Sequence, residues 1–208
     1  MATQRQRRRT LIDLALRRQR PGTGTNVDVL RERTAVSRYP DLRSILAGLA
    51  WAVVGGVATR LYMPERLTLD LDVAVTAADA EEVRRRLGEG GFRYSGELTI
   101  GGSSWTSLQN ASVDVLEVDT PWIHVALAEA QANPDQQGMP VLPLPYLALM
   151  KFQAGRLQDL ADVSRMLGQA SDASLDRVRR LFQRFAAEDM QPRKPDHAWS
   201  PRDAAPAG

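Results

Sequence analysis

Apolar and polar positions alternate in two different ways in the middle of the chain. Residues 51–54 are wholly apolar and end at a glycine pair, which is typical of a buried strand that enters a tight turn. A short helix is predicted over residues 57–63. Residues 69–75 begin with strict polar–apolar alternation, as a half-buried strand does. A capping-box pattern at Thr76 then opens a helix predicted over residues 77–87.

Further along the chain, short apolar segments are separated by Gly, Ser and Asn, which favours hairpins over another crossover helix. The predicted strands are residues 98–100, 105–108 and 113–118. Helical periodicity resumes after Pro121 and predicts helices over residues 123–131, 145–154, 157–167 and 175–185. We therefore predict an α/β (α+β) protein, in which a small mixed β-sheet is flanked by helices and followed by a C-terminal helical bundle.

These elements predict four parts along the chain. They are a basic N-terminal arm over residues 1–42, a core over residues 43–128, a helical region over residues 129–188 and a disordered tail over residues 189–208. The tail is predicted because residues 191–208 contain four prolines and few apolar positions.

Composition narrows the function classes. The 208 residues are 43% hydrophobic and 25% charged, ordinary values for a globular protein. Since no apolar stretch reaches 18 residues and none of signal-peptide length follows the N-terminus, we expect no membrane span and a cytoplasmic protein. The absence of cysteine excludes disulfides and thiolate chemistry, and two histidines are too few for a histidine-rich metal site.

Charge is distributed unevenly along the chain. Residues 1–43 hold 11 arginines and four acidic residues, which leaves 16 basic and 21 acidic residues in the remainder. A basic segment ahead of an acidic body is typical of contact with phosphates, as in an RNA. An arginine-rich arm that simply faces solvent explains the same pattern equally well.

Three acidic residues are the candidate chemical centre. Asp70 and Asp72 lie at i, i+2 in a predicted strand, so both carboxylates project from one face, roughly 7 Å apart. Asp114 lies in a later apolar strand. Like charges raise one another's pKa unless a cation lies among them, and two Mg²⁺ ions bridged by carboxylates serve phosphoryl transfer. Gly55 and Gly56 would let backbone N–H groups approach a triphosphate.

Each candidate also has an ordinary structural explanation. Glu117 and Asp119 are alternatives to Asp114 as the third acid. Lys151 could be an exposed helix residue, and Asp159 and Asp162, spaced i, i+3, could form a surface ladder with Arg156 and Arg165. His124 is expected to pack on a helix. Ser103 and Ser104 are expected in a loop, and no histidine accompanies a serine in a triad pattern.

Two blocks of the chain resemble a known family. Val54-Gly55-Gly56-Val57-Ala58, followed by Arg66-Leu67-Thr68-Leu69-Asp70-Leu71-Asp72, resembles the nucleotidyltransferase superfamily of DNA polymerase β type. The closer likeness is to bacterial nucleotidyltransferase proteins that include the AbiEii-type toxins. Residues 150–162 resemble the Lys-x-x-Ala-x-Arg-x-x-Asp-x-x-Asp helix motif of that group. The resemblance covers residues 46–167.

The resemblance implies a role for each matching residue. The glycine pair, with Arg66 and Thr68, would hold the nucleoside triphosphate (NTP). The three acids would bind two Mg²⁺ ions, and Asp114 would either take the acceptor's proton or hold the second ion. Lys151 would reach the phosphates, and Asp159 and Asp162 would orient Lys151 or Arg66. Superfamily members more often have Ser where this chain has Gly56, so no side-chain phosphate contact is expected there.

The implied activity is transfer of a nucleoside monophosphate from an NTP to a hydroxyl group. The acceptor expected first is RNA, such as tRNA, with the chain acting as the toxin of a toxin–antitoxin or abortive-infection system and an antitoxin protein as its partner. The alternatives are a small-molecule nucleotidyltransferase of the antibiotic-modifying kind and a non-catalytic binding module of the same fold.

Overall fold

The structure is a computed structural model that describes residues 39–63, 68 and 70–186. Most of the predicted arm, the whole predicted tail and Arg66 lie outside the described residues. The chain divides into two units, Met1–Tyr39 and Pro40–Gly208, and the description below concerns the second. The finer borders predicted inside that unit stay predictions.

Five strands form one mixed sheet. They are β1 (Trp51–Val53), β2 (Leu71–Thr76), β3 (Arg93–Glu97), β4 (Gly102–Thr106) and β5 (Ser112–Val118), in the spatial order β1-β2-β5-β4-β3. Strands β2 and β5 are parallel, and every other neighbouring pair is antiparallel. This arrangement confirms the predicted mixed sheet and its hairpins.

Helices account for most of the remaining described residues. They are α1 (Gly55–Tyr62), α2 (Ala80–Glu89), α3 (Ile123–Ala130), α4 (Leu144–Ala154), α5 (Leu157–Gly168) and α6 (Asp172–Phe185), with a short 3-10 helix at Ala77–Asp79. Helices α5 and α6 both pack against α4, so the predicted helical bundle is present. No described helix has the length and apolar character that crossing a membrane requires.

The alternation along β2 determines which side of the sheet is covered. Leu71, Val73 and Val75 are completely buried on one face, while Asp72 on the other face is half-buried. Period-two alternation places successive side chains on opposite faces of a strand. The carboxylate therefore lies on the face opposite these three residues, which is open at Asp72 although Ala74 and Thr76 farther along the same face are buried.

The strands predicted at residues 98–100 and 105–108 differ from the observed ones. Ile100 and Leu108 are 70% and 88% exposed, and they lie in the connections rather than in the sheet. The observed strand Gly102–Thr106 depends on a close approach, since a Cβ at Gly102 would lie 2.0 Å from the Val115 carbonyl oxygen. The prediction followed the apolar residues, but β3 and β4 are built largely from glycine and hydroxyl residues.

Candidate active site

Two aspartates lie side by side on the open face of the sheet. Asp72 in β2 and Asp114 in β5 are register partners on parallel strands. Side chains of register partners project from the same face of a sheet. The predicted pairing of acids from two separate strands is therefore present. Ser104 in β4 is the register partner of Asp114 on its other side, so a hydroxyl adjoins the carboxylate pair.

The Gly55–Gly56 turn closes against Asp72. Gly55 has a φ of +59°, and a Cβ there would lie 1.8 Å from Asp72 Oδ2, so both its conformation and its surroundings require glycine. The Val54 N–H donates to the Asp72 carbonyl oxygen at 2.8 Å. The Gly56 N–H, in the first turn of α1, donates to the Asp72 carboxylate. The turn therefore positions this carboxylate from both its backbone and its side chain.

The electrostatics of Asp72 indicate a site that lacks compensating charge. Burial raises the pKa of Asp72 from 3.8 to about 6, and the neighbouring Asp114 and Asp70 carboxylates add to the rise. The Gly56 N–H and the Lys151 ammonium act in the opposite direction, and their effect is smaller. Negative charge is thus concentrated beside the glycine turn, and a bound cation would stabilise it.

Asp70 occupies a different position from the other two acids. It is exposed and lies one residue before β2 begins, although it is close enough to influence Asp72. Among the described residues, no group of three acidic or histidine side chains forms a ready-made metal cluster. The structure therefore brings Asp72 and Asp114 together and leaves Asp70 at the margin.

The pair nevertheless fits a magnesium ion. Carboxylate oxygens are the ligands that Mg²⁺ prefers, and this ion is usually held by one or two carboxylates together with substrate phosphates and water. The raised pKa of Asp72 is the sign of uncompensated charge that such an ion would relieve. Asp72 and Asp114 are the residues that would hold it, with Asp70 within electrostatic reach.

Thr68 supports the glycine turn through its side chain. A Cβ at Gly56 would lie 2.8 Å from Thr68 Cβ and 2.9 Å from Thr68 Oγ1. The Thr68 side chain thus occupies the space that a side chain at position 56 would need. This contact explains why this chain has glycine at the position where members of the resembling superfamily more often have serine.

The second predicted block forms a buried ion-pair cluster between α4 and α5. Lys151 Nζ donates to Asp159 Oδ1 and to Asp162 Oδ2, both at 3.0 Å. Arg156 Nε donates to Asp159 Oδ2 at 2.5 Å, and Gln158 Nε2 donates to Asp162 Oδ1 at 3.2 Å. Lys151, Asp159 and Asp162 are all buried, so an exposed lysine and a surface ladder are both wrong as explanations.

This cluster lies close to the glycine turn. Helix α1, which begins at Gly55, packs against both α4 and α5. The Lys151 ammonium offsets a small part of the rise in the pKa of Asp72, and the pKa of Arg156 is raised mainly by Asp159, with a smaller contribution from the Asp72 carboxylate. Helices α4 and α5 form a helical hairpin, and its cationic groups therefore share one electrostatic environment with the carboxylates of the sheet.

The structure also distinguishes the alternative residues. Glu117 accepts from Arg84 at 2.7 Å and lies in register with Val75, on the face opposite Asp72. Asp119 is exposed and follows the end of β5. Neither residue adjoins Asp72 as Asp114 does.

Two minor predictions were wrong. Ser103 and Ser104 belong to β4 rather than to a loop, and the buried Ser103 hydroxyl accepts from Trp105 Nε1 at 2.9 Å. Residues 103–105 do alternate between buried and half-exposed positions, as in a strand. The alternation gives little hydrophobic signal because two of the three residues are serines. His124 is exposed on α3 rather than packed.

Comparison with known proteins gives structural likenesses only. No protein-family model matches the chain, and no curated protein matches it in sequence. The antibiotic-resistance factor ANT(2'')-Ia is similar in structure, with 17% identity over 78% of this chain and 93% of its own, and a TM-score of 0.44. The lincosamide antibiotic adenylyltransferase LnuA, with lincomycin bound, has 10% identity over 59% of this chain and 88% of its own, at a TM-score of 0.39.

A CCA-adding enzyme in complex with CTP is also similar, with 15% identity over 52% of this chain and 27% of its own, and a TM-score of 0.34. The structural neighbours named here are thus nucleotidyltransferases, whereas a particular likeness to AbiEii-type proteins does not emerge. Because identity is at most 17% and the TM-score at most 0.44 among the three, the chemistry of this chain must be argued from its own residues.

Proposed function

We propose that this chain is a magnesium-dependent nucleotidyltransferase, which transfers a nucleoside monophosphate from an NTP to an acceptor hydroxyl. The observation that carries the proposal is the Asp72–Asp114 pair beside the Gly55–Gly56 turn. Like charges side by side at a backbone N–H turn suit a reaction in which a cation and phosphates arrive together.

The residues divide the chemical work among them. The acceptor oxygen forms a bond to the α-phosphorus, the bond to the pyrophosphate oxygen breaks, and pyrophosphate leaves with that electron pair. The acceptor's proton passes to the Asp114 carboxylate. When bound at Asp72 and Asp114, Mg²⁺ would supply charge stabilisation for the phosphates. The turn at Gly55 and Gly56 packs against the Asp72 carboxylate and the Thr68 side chain, and it holds Asp72 in place.

RNA, for example tRNA, is the acceptor that we propose first. The support is the arginine excess of residues 1–43, since phosphate contacts by arginines favour nucleic acids. The resemblance of residues 54–72 and 150–162 to AbiEii-type proteins supports the role of a toxin with a protein antitoxin, acting in the cytoplasm where NTPs and RNA are present.

A hydroxylated small molecule is the second candidate acceptor. Ser104 places a half-exposed hydroxyl on the open sheet face next to the Asp114 carboxylate, and Thr106, the register partner of Ser112, adds a second hydroxyl farther along that face. A surface of hydroxyls and carboxylates suits a neutral or amine-bearing polyol better than it suits a polyanion.

Labelled transfer distinguishes these acceptors. The protein is incubated with each labelled NTP and Mg²⁺, together with either total tRNA or a set of aminoglycosides. Label in RNA supports the first acceptor, and label in the small molecule supports the second. Asp72→Asn and Asp114→Asn should each abolish transfer. Asp119→Asn, the matched change just after the end of β5, should leave transfer intact. No transfer together with no NTP binding in calorimetry would leave only a non-catalytic binding module.

The arginine-rich segment has its own test. Deletion of residues 1–20 should weaken RNA binding and flatten its dependence on salt concentration, because fewer phosphate contacts release fewer counterions. An unchanged salt slope would remove this segment from the proposed RNA contact.

A further inference from the structure

The corner between α4 and α5 carries two cationic side chains with opposite exposure. Lys151 lies in the last turn of α4, and only 7% of its side chain is exposed. Arg156 directly precedes α5, and 74% of its side chain is exposed. Gly155, with a φ of +67°, ends α4 and turns the chain between them. A triphosphate that arrives from solvent would therefore meet Arg156 before Lys151.

The charge of Lys151 is already matched inside the protein. Two of its three N–H donors are used by Asp159 and Asp162, which are themselves buried. If the ammonium moved out to a phosphate, two buried carboxylates would lose their partner, which is strongly unfavourable. Lys151 is therefore suited to hold the cluster together rather than to follow a ligand.

Arg156 combines a fixed anchor with an open side. Its Nε donates to Asp159 Oδ2 at 2.5 Å, and among the described residues its Nη1 and Nη2 atoms make no hydrogen bond. A guanidinium presents its donors as a planar fork that matches phosphate oxygens. Because Asp159 is held by Lys151, the position of the guanidinium depends on that buried lysine.

The location of Arg156 also fits contact with a ligand at the glycine turn. Helix α1 packs against α4 and α5, so the corner lies beside the element that begins at Gly55. The influence of the Asp72 carboxylate on the pKa of Arg156 agrees with this closeness.

We propose that Arg156 is the residue of the helical hairpin that contacts the triphosphate, through Nη1 and Nη2, and that Lys151 is a positioning residue that acts through Asp159. The inference rests on the proposed nucleotidyltransferase function. It assigns to Arg156 the phosphate contact that the resemblance implies for Lys151, and it makes the ion-pair cluster a support for a substrate ligand.

Binding of inorganic tripolyphosphate with Mg²⁺, measured by titration calorimetry on the full chain, tests the inference without knowledge of the base or the acceptor. Arg156→Gln should weaken binding by about tenfold or more, as expected when a hydrogen-bonded charge is removed. Arg156→Lys should recover part of the affinity, because the charge returns without the fork. Arg165→Gln, the same change at an exposed position of α5, should bind as the wild type does.

Thermal unfolding distinguishes a residue that contacts the triphosphate from one that stabilises the ion-pair cluster. Since its side chain is largely exposed, Arg156→Gln should lower the unfolding temperature only slightly, whereas Lys151→Gln, which removes the buried charge, should lower it clearly. Wild-type affinity in Arg156→Gln would overturn the inference, and so would equal losses in Arg156→Gln and Arg165→Gln. If the wild type itself fails to bind tripolyphosphate, the proposed function fails and this inference falls with it.

Discussion

Two groups of acidic residues lie within electrostatic reach of each other, and they differ in how their charge is matched. In the sheet, Asp72 and Asp114 adjoin as like charges, and the pKa of Asp72 is raised to about 6. In the helical hairpin, Asp159 is bonded by Lys151 and Arg156, which hold its pKa below the usual value against the effect of burial. The first group is completed only by a cation from outside, whereas the second is complete within the chain.

This difference indicates which group serves chemistry and which serves structure. Acidic residues are rarely buried unless they are paired, and the hairpin cluster follows that rule with two carboxylates against two cations. The sheet pair departs from it and carries an energetic cost in the ligand-free protein. Perturbed acids of this kind concentrate at functional sites. Variants that alter one group and spare the other sharpen the comparison.

The largest expected effect is the loss of the buried lysine. Lys151→Met leaves Asp159 and Asp162 without their shared ammonium and should lower the free energy of unfolding by about 3–5 kcal/mol. Chemical denaturation measures the change, with Arg165→Met as the control on an exposed position of α5. A loss below about 1 kcal/mol would mean that the cluster contributes little to stability.

Next in size is a methyl group at the glycine turn. Gly55→Ala combines a positive φ with a contact of 1.8 Å to Asp72 Oδ2, so the carboxylate or the turn must move. We expect a loss of about 2–4 kcal/mol from the summed cost of backbone strain and overpacking, together with loss of Mg²⁺-dependent transfer. Gly168→Ala, where a Cβ would meet nothing within 4 Å, is the control. Equal stability of the two variants would contradict the tight contact.

Removal of one charge from the sheet pair should stabilise the ligand-free protein while it abolishes activity. The pKa of Asp72 rises from 3.8 to about 6 on folding, so stability falls as pH rises through that window and stays lower above it. Asp72→Asn avoids the loss and should be more stable at pH 7.5 by up to roughly 3 kcal/mol, a difference that vanishes below pH 4. Denaturation curves at pH 7.5 and below pH 4 measure this difference in stability, with Asp119→Asn as the control. Lower stability of Asp72→Asn at pH 7.5 would show that the pair is not strained.

The smallest effect is stabilisation by the ion itself. Mg²⁺ at about ten times its dissociation constant should stabilise the wild type by about 1.4 kcal/mol at pH 7.5. The effect should be weaker at pH 5, where Asp72 is mostly protonated and binds a cation poorly. Thermal unfolding with and without MgCl₂ measures it, and Asp114→Asn should lose it. An equal effect at both pH values, or in the variant, would place the ion elsewhere.

Local pattern was sufficient for much of the fold. The alternation in residues 69–75 and the apolar run ahead of Gly55 predicted β1, β2 and the turn from β1 into α1, because side-chain period follows directly from backbone geometry. It failed at β4, which contains one close backbone approach at Gly102 and hydroxyl residues instead of an apolar run. A strand that packs through such backbone contacts leaves little hydrophobic signal in the sequence.

By itself, the sequence determined the mixed α/β class, the glycine turn and the set of acids from which a site could be built, since these depend on local period and residue type. Only the tertiary structure decided that Asp114 rather than Glu117 adjoins Asp72, because strand register is set by pairing between residues that lie 42 positions apart in the chain. It also decided that Lys151 is enclosed and Arg156 open. Burial is a property of the packed chain, and no single segment carries it.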